Sequence, residues 1–187
     1  MKSLNMKEEI IIAGFGGQGV LSMGKILAYS GIMQGYEVTW MPSYGPEMRG
    51  GTANVMVILS EKKISSPIIS QFDSAIILNQ PSLDKFEGMV KSGGLLIYDP
   101  NGIKRVPTRK DITIYKIDAT EIAAEIGNNK AYNMIVLGAY LANRKVVDLP
   151  NVVKGLEKSL PERHHKLIPM NQMAIDKGME RVELIPL

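Results

Sequence analysis

Short apolar runs alternate with stretches of helical spacing along the 187-residue chain. Glu9 to Ala13 reads as a buried strand, and Val20 to Ile32 sets Leu21, Met23, Ile26, Leu27 and Ile32 among good helix formers. Tyr36 to Met41 is the next strand, bounded by Gly35, which ends the helix, and by Pro42. Asn54 to Leu59 and Ala75 to Leu78 are further β-rich runs, with Ser65-Ser66-Pro67 opening a short helical crossover between them. Pro81 to Lys91 has helical pattern that Ser92-Gly93-Gly94 stops; Leu95 to Tyr98 is a strand and Asp99 to Gly102 a turn. Ile112 to Ile117 is the last clear strand, and Asp118 is placed to cap a helix running to Ile126. Tyr132 to Asn143 is apolar on most sides, a core helix in which Gly138 permits close contact with another helix. Asp148-Leu149-Pro150 opens another helix, and helical pattern returns from Pro161 to Gly178 with a break near Pro169. Strands alternating with helices predict an α/β fold, a mainly parallel sheet with helices on both faces, in a single domain over residues 1–187.

The strand-to-helix turn Gly14-Phe15-Gly16-Gly17-Gln18-Gly19 is the first chemical signal. A helix starting there points unpaired N–H groups and the positive end of its dipole into the turn, and residues without Cβ let an anion approach the backbone. Phosphate or carboxylate binding and close helix–strand packing are both open on this string alone. A dinucleotide site also requires an acid at the carboxyl end of the second strand. The available acid, Glu37, stands at that strand's beginning, which faces the wrong edge of the sheet.

A second signal follows. Ser43-Tyr44-Gly45-Pro46-Glu47-Met48-Arg49-Gly50-Gly51-Thr52 crowds glycine, proline, hydroxyl and opposite charges into one loop. A second strand lying beside the first would deliver this loop next to the glycine turn. Arg49 is suited to grip a carboxylate or phosphate in two bonds, with Gly50-Gly51 leaving backbone N–H groups accessible; pairing with Glu47 is the alternative use of the same charge.

Composition narrows the chemistry. The chain has no cysteine, so it neither ligates a cysteine-held iron-sulfur cluster nor forms a disulfide. His164 and His165 are adjacent in a charged segment, which predicts a solvated face and no metal site. Lys25 lacks a P-loop around it and reads as a helix-surface lysine. The net charge of +3 comes from scattered bases interspersed with 19 acids, which argues against nucleic acid as a partner. With no apolar run of about 18 residues and no signal-peptide pattern, no membrane contact is expected and a cytoplasmic location is. Twelve methionines serve core filling first and subunit contacts second, and the apolar tail from Arg181 to Leu187 is expected to pack on something, a partner chain being one choice.

Taken together, Gly14-Phe15-Gly16-Gly17-Gln18-Gly19-Val20 and Ser43 to Asn54 resemble the gamma subunit of 2-oxoacid:ferredoxin oxidoreductases. The likeness continues through Ala131-Tyr132-Asn133-Met134-Ile135-Val136-Leu137-Gly138-Ala139 and Lys166-Leu167-Ile168-Pro169-Met170-Asn171. The wording from Tyr44 to Thr52 is most similar to the 2-oxoglutarate branch, then to the branched-chain 2-oxoacid branch. The resemblance implies a Rossmann-like domain that caps an active-site entrance and helps bind coenzyme A, a substrate shared with other subunits. It implies that Gly16, Gly17, Gln18, Gly19, Ser43, Arg49, Gly50 and Gly51 are the binding residues. It further implies oxidative decarboxylation of a 2-oxoacid to its acyl-CoA with electrons passed to ferredoxin. Thiamine diphosphate and iron-sulfur clusters would be held by partner subunits and no cofactor by this chain alone. Alpha, beta and ferredoxin-like delta subunits are the implied partners, with a homodimer when the chain is isolated. The competing class is a free-standing nucleotide-binding module or sensor.

Overall fold

The computed structural model describes residues 6–44 and 52–186. Strand β1 (Lys7–Phe15) runs through the middle of a seven-stranded sheet that also contains β2 (Glu37–Tyr44), β3 (Thr52–Ser60), β4 (Phe72–Ile77), β5 (Val90–Tyr98), β6 (Thr113–Lys116) and β7 (Glu183–Leu184). The order across the sheet is β2-β3-β1-β4-β5-β6-β7. β1, β2, β4, β5 and β6 point one way, and β3 and β7 run against them. The sheet is therefore mixed but mostly parallel in direction. The second strand does not lie beside the first: β2 and β3 form a hairpin, and β3 is the member that pairs with β1.

Among the described residues the α-helices are α1 (Val20–Gln34), α2 (Gln80–Phe86), α3 (Ala119–Glu125), α4 (Tyr132–Asn143), α5 (Leu149–Ser159) and α6 (Ile168–Arg181). Alternation along the central strands divides the core. Ile10 and Ile12 join Val55, Val57, Leu59, Ile76 and Ile97 on the face covered by α1 and α3 to α6. Ile11, Ala13, Ile58, Ala75, Ile77 and Leu96 turn to the other face. That second face is covered by Leu83 and Phe86 of α2 and by irregular segments carrying Ile69 and Ile112, so helical cover is unequal. Ile10, Ile11 and Ile12 are all fully buried, as a strand enclosed on both sides requires.

Local physics moved several boundaries. Pro42 does not end β2, which continues to Tyr44, because β2 is the outer strand and an edge tolerates a residue without an N–H. No helix forms between β3 and β4; the Ser66 hydroxyl accepts from the Ile68 N–H, a local turn that competes with helical bonding. The helix after Asn79 stops at Phe86 and passes through a 3₁₀ turn, and β5 starts at Val90 rather than Leu95. Gly93 at φ +75° and a register shift between Phe72 and Ser74 absorb the irregular start of that strand. Asp118 precedes α3 without a capping hydrogen bond, since its carboxylate pairs with Lys116 at 3.0 Å. Pro169 stands in the first turn of α6, where a missing N–H costs nothing. The C-terminal tail packs on its own sheet: Glu183 and Leu184 form β7 against Lys116 and Tyr115.

At the amino edge of the sheet, Glu8 is nearly buried, bonded by the Ser74 hydroxyl and 3.4 Å from both Arg144 Nε and the Tyr140 hydroxyl. Burial raises its carboxyl above the ordinary 4.5, with Asp73 adding to the rise and Ser74, Arg144 and Tyr140 opposing it. The native state thus keeps a proton that the unfolded chain releases, so this group's contribution to stability falls as pH rises from 4.5 through the folded value. Glu8→Gln should gain on the parent chain over that window, by about 1.4 kcal/mol for each pH unit crossed. Paired urea midpoints at pH 4.5 and 7 test this; a constant difference between the two chains would refute it.

Candidate functional site

The carboxyl ends of β1, β2, β4, β5 and β6 share one edge of the sheet. There the glycine turn links β1 to α1. Gly17 and Gly19 have φ of +98° and +75°, in the left-handed region that glycine enters without steric cost. Gln18 folds back into the turn: its Oε1 accepts from the Phe15 N–H at 2.6 Å and its Nε2 donates to the Leu78 carbonyl at 3.1 Å. A Cβ on Gly14 would meet that Oε1 at 2.6 Å, so Gly14 makes room for the brace. The first helical bond of α1 runs from Met23 N–H to Gly19 carbonyl at 2.8 Å, which leaves earlier N–H groups without intrahelical partners. No acid stands in that first turn to neutralise the positive end of the helix.

Facing this turn, Asn128 and Gly127 end α3, whose neighbouring 3₁₀ turn Asn129–Ala131 leads into α4. Between the two walls lies a cleft of about 500 Å³. Gly17, Gln18, Gly19 and Ser22 form one side; Thr120, Lys130, Tyr132 and Asn133 form much of the other. Asn133 Nδ2 lies 3.5 Å from the Gly19 carbonyl and ties α4 to the turn. Beneath Thr120, buried Asp99 accepts from the Asn101 N–H at 2.8 Å and from the Thr120 hydroxyl at 3.4 Å. Burial, with Asp99 nearby, pushes the Tyr132 phenol well above its usual range, so it stays neutral. Lys130 is exposed and forms no ion pair among the described residues. Helix N–H groups, neutral amides, hydroxyls and one ammonium converge, a set suited to an anion.

The residues singled out in the sequence distribute unevenly around this cleft. Gly17, Gln18 and Gly19 line it, with Gly16 beside them in the turn. The amide of Gln18 is occupied by backbone at both ends, so it holds the turn's shape. Ser43 is exposed on β2, paired with Asn54, which is paired in turn with Ala13. It stands two strand spacings from β1, roughly 10 Å. Arg49, Gly50 and Gly51 lie outside the described residues. Their anchors are placed: Tyr44 pairs with Ala53, and Thr52 pairs with Phe15, so the hairpin opens at the level of the glycine turn. Glu37 pairs with Ser60, itself opposite Lys7, at the far edge of the sheet from the turn.

Ser22, Thr120, Lys130, Tyr132 and Asn133 were missed by sequence reasoning as wall residues. Gly127-Asn128-Asn129 reads as the stop of the helix that runs to Ile126, and Tyr132 to Asn143 as a core helix apolar on most sides; a polar Asn133 at the head of that helix is the available signal. Among the described residues, no group of three or more histidine, aspartate or glutamate side chains is arranged to hold a metal, and no helix is long and apolar enough to cross a membrane.

Comparison with known proteins adds the family. A model described as pyruvate ferredoxin/flavodoxin oxidoreductase matches residues 9–181. The chain is 42% identical over 131 residues to the ketoisovalerate oxidoreductase subunit VorA of Methanothermobacter marburgensis, covering 70% of this chain and 27% of that relative. It thus spans about a quarter of that relative's length. It is 32% identical over 183 residues to the 2-oxoglutarate synthase subunit KorC of Methanocaldococcus jannaschii, covering 96% of each. Among solved structures, the gamma subunit of a keto/oxoacid ferredoxin oxidoreductase from Geobacter sulfurreducens has a TM-score of 0.80 at 28% identity, covering 94% of this chain and 96% of the other. A match of this extent, on a sheet and turn of this construction, means that the chain belongs to the pyruvate ferredoxin/flavodoxin oxidoreductase family.

Proposed function

We propose that this chain is the gamma component of a cytoplasmic, multi-subunit 2-oxoacid:ferredoxin oxidoreductase that converts 2-oxoglutarate to its acyl-CoA, and that its cleft receives a phosphate of coenzyme A. The observation that carries the second part is the meeting of the α1 N-terminus, the Gly17–Gly19 backbone and the Lys130 ammonium in one recess. Lys130 and the free N–H groups would hold the anion, and Asn133 and Thr120 would fix its orientation through hydrogen bonds. Arg49, which follows Tyr44 by five residues in the sequence, would supply a second cation to the same ligand.

The decarboxylation and electron transfer belong to the companion alpha, beta and ferredoxin-like subunits, which would carry thiamine diphosphate and the iron-sulfur clusters and pass electrons to ferredoxin. A chain without cysteine does not fit cluster ligation of the usual kind. The end-to-end correspondence with a 2-oxoglutarate synthase subunit supports 2-oxoglutarate. The higher identity, over a shorter span, to a ketoisovalerate oxidoreductase subunit supports a branched-chain 2-oxoacid as the second reading.

Anaerobic purification of the tagged chain with its companions, followed by viologen reduction with several 2-oxoacids, tests the assignment. Companion subunits and CoA-dependent reduction with 2-oxoglutarate are expected. Arg49→Ala and Lys130→Ala should each raise the CoA requirement about tenfold, the loss of one charged hydrogen bond, with 2-oxoacid decarboxylation maintained. A lone, inactive chain would instead favour a free-standing nucleotide module, and an unchanged CoA requirement would remove the cleft from the reaction.

A further inference from the structure

At the amino edge of the sheet, the far end of β1 from the glycine turn, Lys7 stands opposite Ser60, and the chain leaves β3 over a recess of about 310 Å³. Lys7, Lys62 and Lys63 border this recess together with Ser60, Ser65 and Ser66, and no acid does. Lys7 is paired with Glu9 at 2.7 Å, whereas Lys62 and Lys63 are exposed and enter no ion pair among the described residues. The preceding acid, Glu61, accepts from the Met6 N–H at 3.0 Å. Ile64 and Ile69 pin the segment between β3 and β4 to the core. From Ile64 to Ile69, no backbone N–H or carbonyl joins a main-chain hydrogen bond among the described residues. Ile68, next to the anchored Ile69, is 78% exposed, more than any other large apolar side chain among the described residues.

We propose that this edge is a docking surface for an acidic segment of a protein partner, with carboxylates on Lys62 and Lys63 and an apolar residue covering Ile68. Three observations point to the same occupant. Two uncompensated ammonium groups on flexible stems attract carboxylates without demanding one fixed geometry. Backbone groups between Ile64 and Ile69 that lack main-chain partners can bond an extended peptide laid beside them. Ile68 gains from leaving water only if the occupant also brings apolar surface. A small anion would meet the lysines and leave both the backbone and Ile68 uncovered. The inference stands apart from the reading of the glycine-turn cleft, since the two places lie at opposite ends of β1.

The test uses the full chain labelled with ¹⁵N and with ¹³C in the isoleucine methyls. It is titrated separately with the blocked peptide Glu-Glu-Leu-Glu-Glu, with its neutral counterpart Gln-Gln-Leu-Gln-Gln and with inorganic phosphate. The acidic peptide is expected to shift the amides from Lys62 to Ser66 together with the Ile68 methyls, all saturating at one concentration. Its affinity should fall at least about threefold from about 50 to about 300 mM salt. The neutral peptide should bind at least about tenfold more weakly. Lys62→Glu combined with Lys63→Glu reverses two exposed charges and should weaken the acidic peptide at least about tenfold, with the rest of the spectrum unchanged; Ile68→Ser should weaken it about threefold. Equal binding of the two peptides, or undiminished binding by the charge-reversed chain, would overturn the proposal. Phosphate and the acidic peptide moving the same amides while the Ile68 methyls stay still would reduce the surface to a small-anion site and overturn it too. Amides unmoved by any probe at millimolar concentration would do the same.

Discussion

Gly138→Ala is expected to destabilise the chain by about 3 kcal/mol, the upper end of the usual cost of overpacking. α4 and α6 cross with backbone against backbone at two reciprocal points. A Cβ at Gly138 would overlap the Ile175 carbonyl oxygen and lie 2.8 Å from its carbon; a Cβ at Gly178 would overlap the Ile135 carbonyl oxygen and lie 2.7 Å from its carbon. A main-chain neighbour has no rotamer to change, so the helices themselves must separate. Alanine's better helix propensity returns only about 1 kcal/mol and does not reverse the sign. Gly178→Ala should behave alike, whereas Gly88→Ala, with nothing within 4 Å of the added carbon, should be near neutral. Thermal unfolding reads the difference at about 2 to 4 °C per kcal/mol for a chain of this size. Similar stabilities for Gly138→Ala and Gly88→Ala would disprove the close crossing.

At the cleft, the largest functional effect is expected from Gly19→Ala. Gly17 and Gly19 both have positive φ, but a Cβ at Gly17 would stand in open space and one at Gly19 would meet Asn133 Nδ2 at 2.6 Å and its Cγ at 2.7 Å. Alanine at Gly19 therefore adds a displaced Asn133 to the backbone strain. It also sits where the first turn of α1 offers its N–H groups, so one or two charge-assisted hydrogen bonds to the anion are lost. At about 1.5 to 3 kcal/mol each, loss of a single such bond raises the CoA concentration for half-maximal rate by roughly 10- to 100-fold, and loss of both by more. Gly17→Ala should have a smaller effect, from strain of about 1 to 2 kcal/mol alone. The assembled enzyme, assayed over a range of CoA concentrations, separates the two variants. Equal effects would mean that Asn133 and the helix start are not part of the ligand's seat.

The parts of this arrangement legible in sequence were those with a local cause. The glycine turn was visible because left-handed backbone at Gly17 and Gly19 demands glycine in a strand–turn–helix setting. Gly138 was visible because a small residue in an otherwise apolar helix marks close approach. Pairing order went unread: the apolar run Val55 to Leu59 of β3 and the proline within β2 do mark an inner and an outer strand, but the second strand was expected to end before Pro42. Pro42 misled because its tolerance depends on β2 being an edge strand. The far wall of the cleft was hidden by distance along the chain. Lys130 and Asn133 reach the glycine turn only after α4 has been folded over the sheet, and each looks like an ordinary helix-start residue on its own.

The two ends of the sheet have a consequence for how this chain meets others. β7 presents two residues, one of them Glu183, 3.4 Å from the Lys116 ammonium, and β2 carries Pro42, which has no N–H to offer a further strand. A neighbouring strand seeking to lengthen the sheet would find few consecutive rungs at either side. Edge-to-edge growth of the sheet from one copy of the chain to another is therefore disfavoured at both sides.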